Sequence, residues 1–374
     1  CIRDSPLRGQ NNVQGAADMG CQPHQGAGYF PVADKKIQDF YTEKYGAVHP
    51  TKAGLKIPEI FDAAINKEVK GLWIIGEDIV QTDPNSAHVI KAMESLDLLV
   101  VQEIFMSETA KLADVVLPGT TFLEKDGTFT NTERRVQRVN KAAEPLPGTK
   151  PDGVIVTEMM QKLGYDQPTY DADQVLAEVA DVVPFFKGIT RERLGKLGLQ
   201  WPVKEDGTDT KILHEKEFKL GKGRLKSFDW KESTEIKNNI KEYPLILTTS
   251  RVLQHYNAAT MTRRTKNLNI VDEDILLVNP IDAKERELNN GDIARLYSGR
   301  GEVSLKVEVT DKVKEGIVFT TFHFPEHMVN MVTGDGKDEE TKCAEYKVSA
   351  VNVQKISNKF KTEITPKEKE AEVR

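Results

Sequence analysis

Between Gly71 and Pro118 the chain repeats one pattern that restricts its fold more than any other feature: short apolar runs separated by helical stretches. The runs cover residues 71–76, 98–102 and 114–118, and each is apolar on nearly every residue rather than on alternate ones. A strand of that kind needs cover on both faces, so the runs predict parallel strands with helices packed against the sheet. An amphipathic helix carrying Ile60, Ala64 and Ile65 precedes the first run, and helices over 84–95 and 107–112 connect the rest. Three such strands make half of a doubly wound, Rossmann-like domain, in which ligands collect beyond the carboxyl ends of the strands. No GxGxxG follows a strand, so an ordinary NAD fingerprint is absent.

The pattern changes twice further on. A proline and glycine hinge at 145–151 is followed by predicted helices at 153–163, 172–182 and 190–197. A lysine-rich stretch, 202–242, reads as linker with short strands at Phe218 and Leu225. From Leu245 closely spaced strands predominate, at 245–249, 275–278, 293–297, 301–309, 317–322 and 346–353, as in a barrel. A helix starts at Asn279-Pro280 and runs to Leu288, before a tight turn at 289–292. The expected fold class is α/β: a parallel doubly wound half-domain followed by a C-terminal six-stranded β-barrel. The expected boundaries are 1–145 for the α/β part, 146–243 for the helical connection, 244–357 for the barrel and 358–374 for a charged tail.

Composition narrows the function classes. A net charge of −6 argues against nucleic acid as a general partner, and no apolar run approaches the roughly 20 residues of a membrane span. Cys1, Cys21 and Cys343 are far apart and show no metal-ligand spacing, so neither a disulfide framework nor a metal site is expected from them. The chain starts at Cys1 without a signal-like segment, which predicts a fragment or one piece of a split subunit, with a cytoplasmic location.

The segment Pro6-Leu7-Arg8-Gly9-Gln10-Asn11-Asn12-Val13-Gln14-Gly15 concentrates hydrogen-bonding side chains between two glycines. Arg8 offers a fork of donors suited to a carboxylate, and the carboxamides offer donors and acceptors. The plainer reading is a helix start capped by Asn11 or Asn12 and running through Ala16-Ala17-Asp18-Met19. Similar alternatives hold elsewhere. Asp78, Asp83 and Asp114 read alone as turn and cap residues, and Asp126-Gly127 as a hairpin turn between Phe122 and Phe129. His24 and His49 suit surface turns, and His323 and Cys343 suit packing positions.

The string Arg8-Gly9-Gln10-Asn11-Asn12-Val13-Gln14-Gly15-Ala16, followed by Asp18-Met19-Gly20, resembles the molybdopterin oxidoreductases, in particular formate dehydrogenase catalytic subunits. The likeness continues through Leu117-Pro118-Gly119, Glu124 to Gln137, and Asn279-Pro-Ile-Asp-Ala with Asn290-Gly-Asp-Ile-Ala, as far as about Ile356. It implies a bis(molybdopterin guanine dinucleotide) centre with molybdenum or tungsten, oxidation of formate to CO2, and Arg8 as the catalytic residue that orients formate. It implies cofactor contacts from Gln10, from Gly76, Glu77, Asp78, Thr82 and Asp83, and from Gln102, Thr109 and Asp114. In the barrel it implies them from Arg251, His255, Tyr256, Thr260, Asn330, Tyr346 and Lys347. The doublets Arg134-Arg135 and Arg263-Arg264 fall in segments that it places near the nucleotide. The family's [4Fe-4S] cluster, its metal-ligating cysteine or selenocysteine and its catalytic histidine lie upstream of the opening string, so no metal ligand is assigned here. Electron-transfer subunits, iron–sulfur or NAD(P)H- or hydrogenase-linked, and the N-terminal remainder of the subunit are the implied partners. The alternatives are another molybdopterin oxidoreductase, nitrate reductase-like, or a non-catalytic fragment that binds a pterin dinucleotide.

Overall fold

A computed structural model describes residues 8–356, except 219, 220, 224, 226 and 228. The charged tail expected at 358–374 lies outside the described residues. In chain order the elements begin with α1 (Val13–Asp18), α2 (Lys35–Tyr45), α3 (Ile57–Ile65), β1 (Gly71–Ile75), α4 (Ile79–Thr82), α5 (Ser86–Glu94), β2 (Leu98–Glu103) and β3 (Val115–Pro118). Then come β4 (Gly127–Thr130), β5 (Arg135–Val139), α6 (Asp152–Lys162), α7 (Ala172–Val182), α8 (Arg191–Leu194), β6 (Leu199–Gln200) and α9 (Thr234–Asn239). The last are β7 (Leu245–Ser250), β8 (Ile275–Val278), α10 (Pro280–Glu285), β9 (Ile293–Tyr297), β10 (Glu302–Val309), β11 (Ile317–Thr321) and β12 (Ser349–Lys355). They divide into two compact units, one of residues 1–60, 102–104 and 117–228, the other of 61–101, 105–116 and 229–374.

The first unit is built on a small antiparallel sheet, β4-β5-β6, with Gly127 opposite Val139 and Arg135 opposite Gln200. Val136, Leu176, Phe186, Ile189 and Leu194 form its core, with Met19 and Trp201 packed against them. The hairpin exists, but its turn is not at Asp126-Gly127. Gly127 already pairs in β4, and Phe122–Glu124 is a single 3-10 turn held by a reciprocal Thr121/Glu124 cap. The chain reverses instead at 131–134, where Asn131 Oδ1 accepts from the backbone N–H of Glu133 and Arg135, at 3.1 and 3.0 Å. A carboxamide that binds the backbone two residues on makes a turn without glycine. Arg134, at φ +67°, completes it with its guanidinium 5.3 Å from the centre of the Trp201 ring.

In the second unit β1 and the parts of β2 and β3 that lie in it, residues 98–101 and 115–116, form a parallel sheet in that order. Phe61 and Ala64 of α3, Val80 of α4 and Val89 and Met93 of α5 bury one face against Ile74, Leu99 and Val101. Side chains alternate across a strand, so Ile75, Leu98 and Val115 lie on the other face, where they are 47, 47 and 41% exposed. The predicted helix over 107–112 is only a turn of 3-10 helix, Ala110–Leu112, and α8 likewise ends at Leu194 rather than 197. Phe218 and Leu225 belong to no strand; Leu225 is fully exposed and has no apolar surface to pair over.

The six strands β7 to β12 close into a barrel in the order β10-β8-β11-β7-β12-β9, with β9 pairing back to β10. Strands β7 and β11 run parallel, as do β8 and β10, and the remaining neighbours are antiparallel. Leu245, Leu247, Leu276, Leu296, Leu305 and Val351 fill the interior. Alternate residues face out, as in β10, where the buried positions are Val303, Leu305 and Val307. Closure leaves no strand edge unpaired, and each buried leucine contributes about 1.5–3 kcal/mol. The last strand starts at Ser349, not Tyr346, which leaves Tyr346 and Lys347 in the loop before it.

Candidate functional site

The opening string builds a buried network in the first unit. Asn12, at φ +57°, starts α1, yet its side chain does not cap the helix; Oδ1 accepts from Thr130 N–H at 3.0 Å. Gly15 makes room for that carboxamide, because a Cβ there would lie 2.1 Å from Asn12 Oδ1. One turn into α1, Gln14 is 3% exposed and uses both amide hydrogens, on Asp18 Oδ1 and on the Tyr29 hydroxyl, each at 2.8 Å. Tyr29 donates to Asp18 Oδ1 at 2.7 Å and Trp201 Nε1 to Oδ2 at 2.9 Å. Arg8 joins through Nε, which donates to Gln14 Oε1 at 3.3 Å. Burial pushes the Asp18 carboxyl up, opposed by its three hydrogen bonds and by the nearby Arg8. Burial, then Asp18, push the Tyr29 phenol up. Gln10 is exposed at the turn into α1. Gln102, buried in the same unit, donates to Asp152 Oδ1 at 2.7 Å and keeps an unpartnered Oε1.

The second unit gathers a cluster of charged groups around the end of β1. Gly76, at φ +67°, ends the strand, and α4 follows at once, so Glu77 and Asp83 flank a single helical turn. Burial and the neighbouring Glu77 carboxylate push Asp83 up to about 7, against a weak bond from Thr82 Oγ1 at 3.4 Å. Desolvation raises Glu77 as well. Tyr346 is raised by burial first and then by Asp83, Cys343 and Glu77, with Arg251 acting in the opposite sense. Lys347 bonds the Thr249 carbonyl and is lowered by burial and by Arg251. Arg251 donates to Asn257 Oδ1 at 2.9 Å and lies 5.3 Å from the centre of the Phe322 ring. Asp83 is thus coupled to Glu77 and Thr82, Tyr346 to Asp83, Glu77 and Arg251, and Lys347 to Arg251.

Most of the other expected site residues make hydrogen bonds within the protein. Asp78 Oδ1 accepts from both the N–H and the hydroxyl of Thr109, at 2.9 and 2.8 Å, and Asp114 Oδ2 accepts from Leu99 N–H at 2.7 Å. Asn330 donates to the Gln81 carbonyl at 2.7 Å. His255 donates from Nε2 to the Val271 carbonyl at 2.8 Å and meets Thr262 Oγ1 at 3.0 Å through Nδ1. Tyr256 is exposed, and the Thr260 carbonyl receives Arg264. Of the basic doublets, Arg134 bonds the Trp201 carbonyl and Arg263 meets the His323 carbonyl at 3.4 Å.

Several residues carry this region without a sequence signal. Gln81 Nε2 lies 3.1–3.2 Å from the carbonyls of Ala258, Phe322 and His323, while its Oε1 is buried without a partner. Asp274, fully buried, accepts from Thr321 Oγ1 and from the N–H groups of His323 and Phe324, at 3.0 Å each. His323 accepts from Val252 N–H on Nε2 and donates from Nδ1 to the Asn257 carbonyl, so it is neutral, and burial lowers its pKa. Tyr29 and Trp201 carry no sequence signal either, and no spacing rule joins them to Gln14 and Asp18 of the opening string. Among the described residues, no group of three or more His, Cys, Asp or Glu could hold a metal ion, and no helix is long and apolar enough to cross a membrane.

Residues 9–162 match the family model described as molybdopterin oxidoreductase, and residues 245–350 the one described as molydopterin dinucleotide binding domain. The chain is 45% identical over 360 residues to the F420-dependent formate dehydrogenase subunit alpha of Methanocaldococcus jannaschii, covering 94% of this chain and 52% of that protein. It is 43% identical to F420-dependent formate dehydrogenase 2 subunit alpha of Methanococcus maripaludis, with the same coverages. The chain therefore spans about half the length of the curated relatives it matches. Among solved structures, acetylene hydratase from Pelobacter acetylenicus is similar in fold, with a TM-score of 0.62 and 19% identity, over 81% of this chain and 47% of that one.

Proposed function

We propose that this chain is a molybdopterin oxidoreductase and forms the C-terminal portion of a formate dehydrogenase catalytic subunit. The observation that carries this reading is the 45% identity to a formate dehydrogenase alpha subunit along 94% of the chain. The reaction releases CO2, a proton and two electrons from formate.

The cluster at the end of β1 suits a guanine dinucleotide. Glu77 and Asp83 lack the strong donors that a pair of neighbouring carboxyls needs, and the N1–H and N2–H groups of guanine would supply them. Lys347, whose protonation is opposed by burial and by Arg251, would be relieved by phosphate oxygens that both cations can bind. Glu77, Asp83, Tyr346, Arg251 and Lys347 would therefore hold the nucleotide end of molybdopterin guanine dinucleotide. When bound with molybdenum or tungsten, a pair of these cofactors supplies the two-electron acceptor.

Arg8 does the other part of the work. A guanidinium stays charged at any working pH, pairs with a carboxylate in a planar fork and so fixes the direction of the formate C–H bond. An upstream [4Fe-4S] cluster and electron-transfer subunits complete the reading, and the remainder of the subunit covers the apolar sheet face at Ile75, Leu98 and Val115. The test is formate-dependent dye reduction by the complete enzyme carrying Arg8→Lys. A point charge replaces the fork, so kcat/KM should fall about 100-fold or more, with melting unchanged. Activity equal to that of the wild type would remove Arg8 from the reaction.

A further inference from the structure

We propose that Gln14 is a positioning residue: it selects which edge of the Arg8 guanidinium is presented to a carboxylate. This deepens the reading of Arg8 as the formate ligand and rests on it.

A guanidinium has two kinds of donor edge, one that includes Nε and one formed by Nη1 and Nη2 alone. Here Nε is taken by Gln14 Oε1. Among the described residues Nη1 and Nη2 make no hydrogen bond, so the end-on edge is the one left to accept two carboxylate oxygens.

The direction of the Gln14 amide is itself fixed. Its Nε2 faces Asp18 Oδ1 and the Tyr29 oxygen, and the Tyr29 hydrogen is already given to Asp18. Turning the amide over would set Oε1 against a carboxylate and against a hydroxyl whose hydrogen points elsewhere. In a site where Gln14 is 3% exposed and Asp18 is fully buried, water cannot compensate for that loss. Trp201 Nε1 holds the second Asp18 oxygen, so the carboxylate cannot rotate to follow. The chain Trp201–Asp18–Tyr29–Gln14–Arg8 therefore transmits one orientation outward, from buried side chains to a half-buried guanidinium.

The experiment uses the complete enzyme in four forms: Gln14→Met, Tyr29→Phe, Arg8→Lys and the double variant Arg8→Lys/Gln14→Met. Formate KM and kcat come from dye reduction. Formate affinity is read separately, without an electron acceptor, from formate-dependent thermal stabilisation. Metal content and melting without formate are the structural controls. Losing one hydrogen bond to a charged group should weaken formate binding by on the order of tenfold in Gln14→Met. Tyr29→Phe, which removes one of the two groups that aim the amide, should act in the same direction but less. A lysine at position 8 has no edge to select, so Gln14→Met should then change neither KM nor affinity, whereas a merely structural role would act in both backgrounds. If Gln14→Met loses its metal, Tyr29→Phe decides. Wild-type formate affinity in the folded Gln14 and Tyr29 variants, with Arg8→Lys impaired, overturns the inference and leaves the reading of Arg8 standing. Wild-type affinity in Arg8→Lys overturns that reading itself.

Discussion

Replacing Asp83 by asparagine should stabilise the second unit above neutral pH while weakening its hold on a nucleotide. The Asp83 carboxyl is raised from its ordinary 3.8 to about 7 by burial and by Glu77. Between those two values the folded protein keeps a proton that the unfolded chain has released. Stability must therefore fall as pH rises through this window, and the cost is complete above about pH 7. At about 1.4 kcal/mol per pH unit, a gap of roughly 3 units sets a ceiling near 4 kcal/mol. The remaining contact with solvent reduces this to about 1–2 kcal/mol. Asparagine carries no charge, so its benefit should be present at pH 8 and absent at pH 4. The assay is the thermal midpoint of the cofactor-free protein across that range, wild type against Asp83→Asn. Parallel curves would show that Asp83 titrates normally and would refute the argument from burial. The same variant should retain less pterin dinucleotide on purification, because an amide cannot accept from both guanine donors as a carboxylate does.

Other outcomes follow from named contacts. Arg251→Gln and Lys347→Gln should each lower the metal and pterin content per subunit, measured by elemental analysis and fluorescence of the released pterin, without changing the fold. Asp274→Ala removes the acceptor for three buried donors, from Thr321, His323 and Phe324, and should destabilise the barrel unit by about 3 kcal/mol or more in denaturant unfolding. Leu247→Ala, inside the barrel, should cost about 2–5 kcal/mol with formate KM unchanged in protein that remains folded.

What was legible in the sequence was the set of local patterns. Unbroken apolar runs marked β1, β2 and β3, and regular spacing marked the six barrel strands, because the period of burial is written directly in the order of residues. The resemblance of the opening string pointed to Arg8. Local rules failed where a side chain had a remote partner. The Asp126-Gly127 turn lost to one made by Asn131 and braced by Trp201, and the expected cap at Asn12 lost to Thr130. Tertiary structure alone also sorted the expected site residues. It brought Tyr346 within electrostatic reach of Glu77, Asp83 and Arg251, and Lys347 within reach of Arg251, and it tied Asp78 to Thr109, Asn330 to Gln81 and His255 to Val271. A carboxylate or amide becomes a strut where a buried protein partner reaches it. That pairing is settled between segments as far apart as Asp18 and Trp201, which no spacing along the chain records.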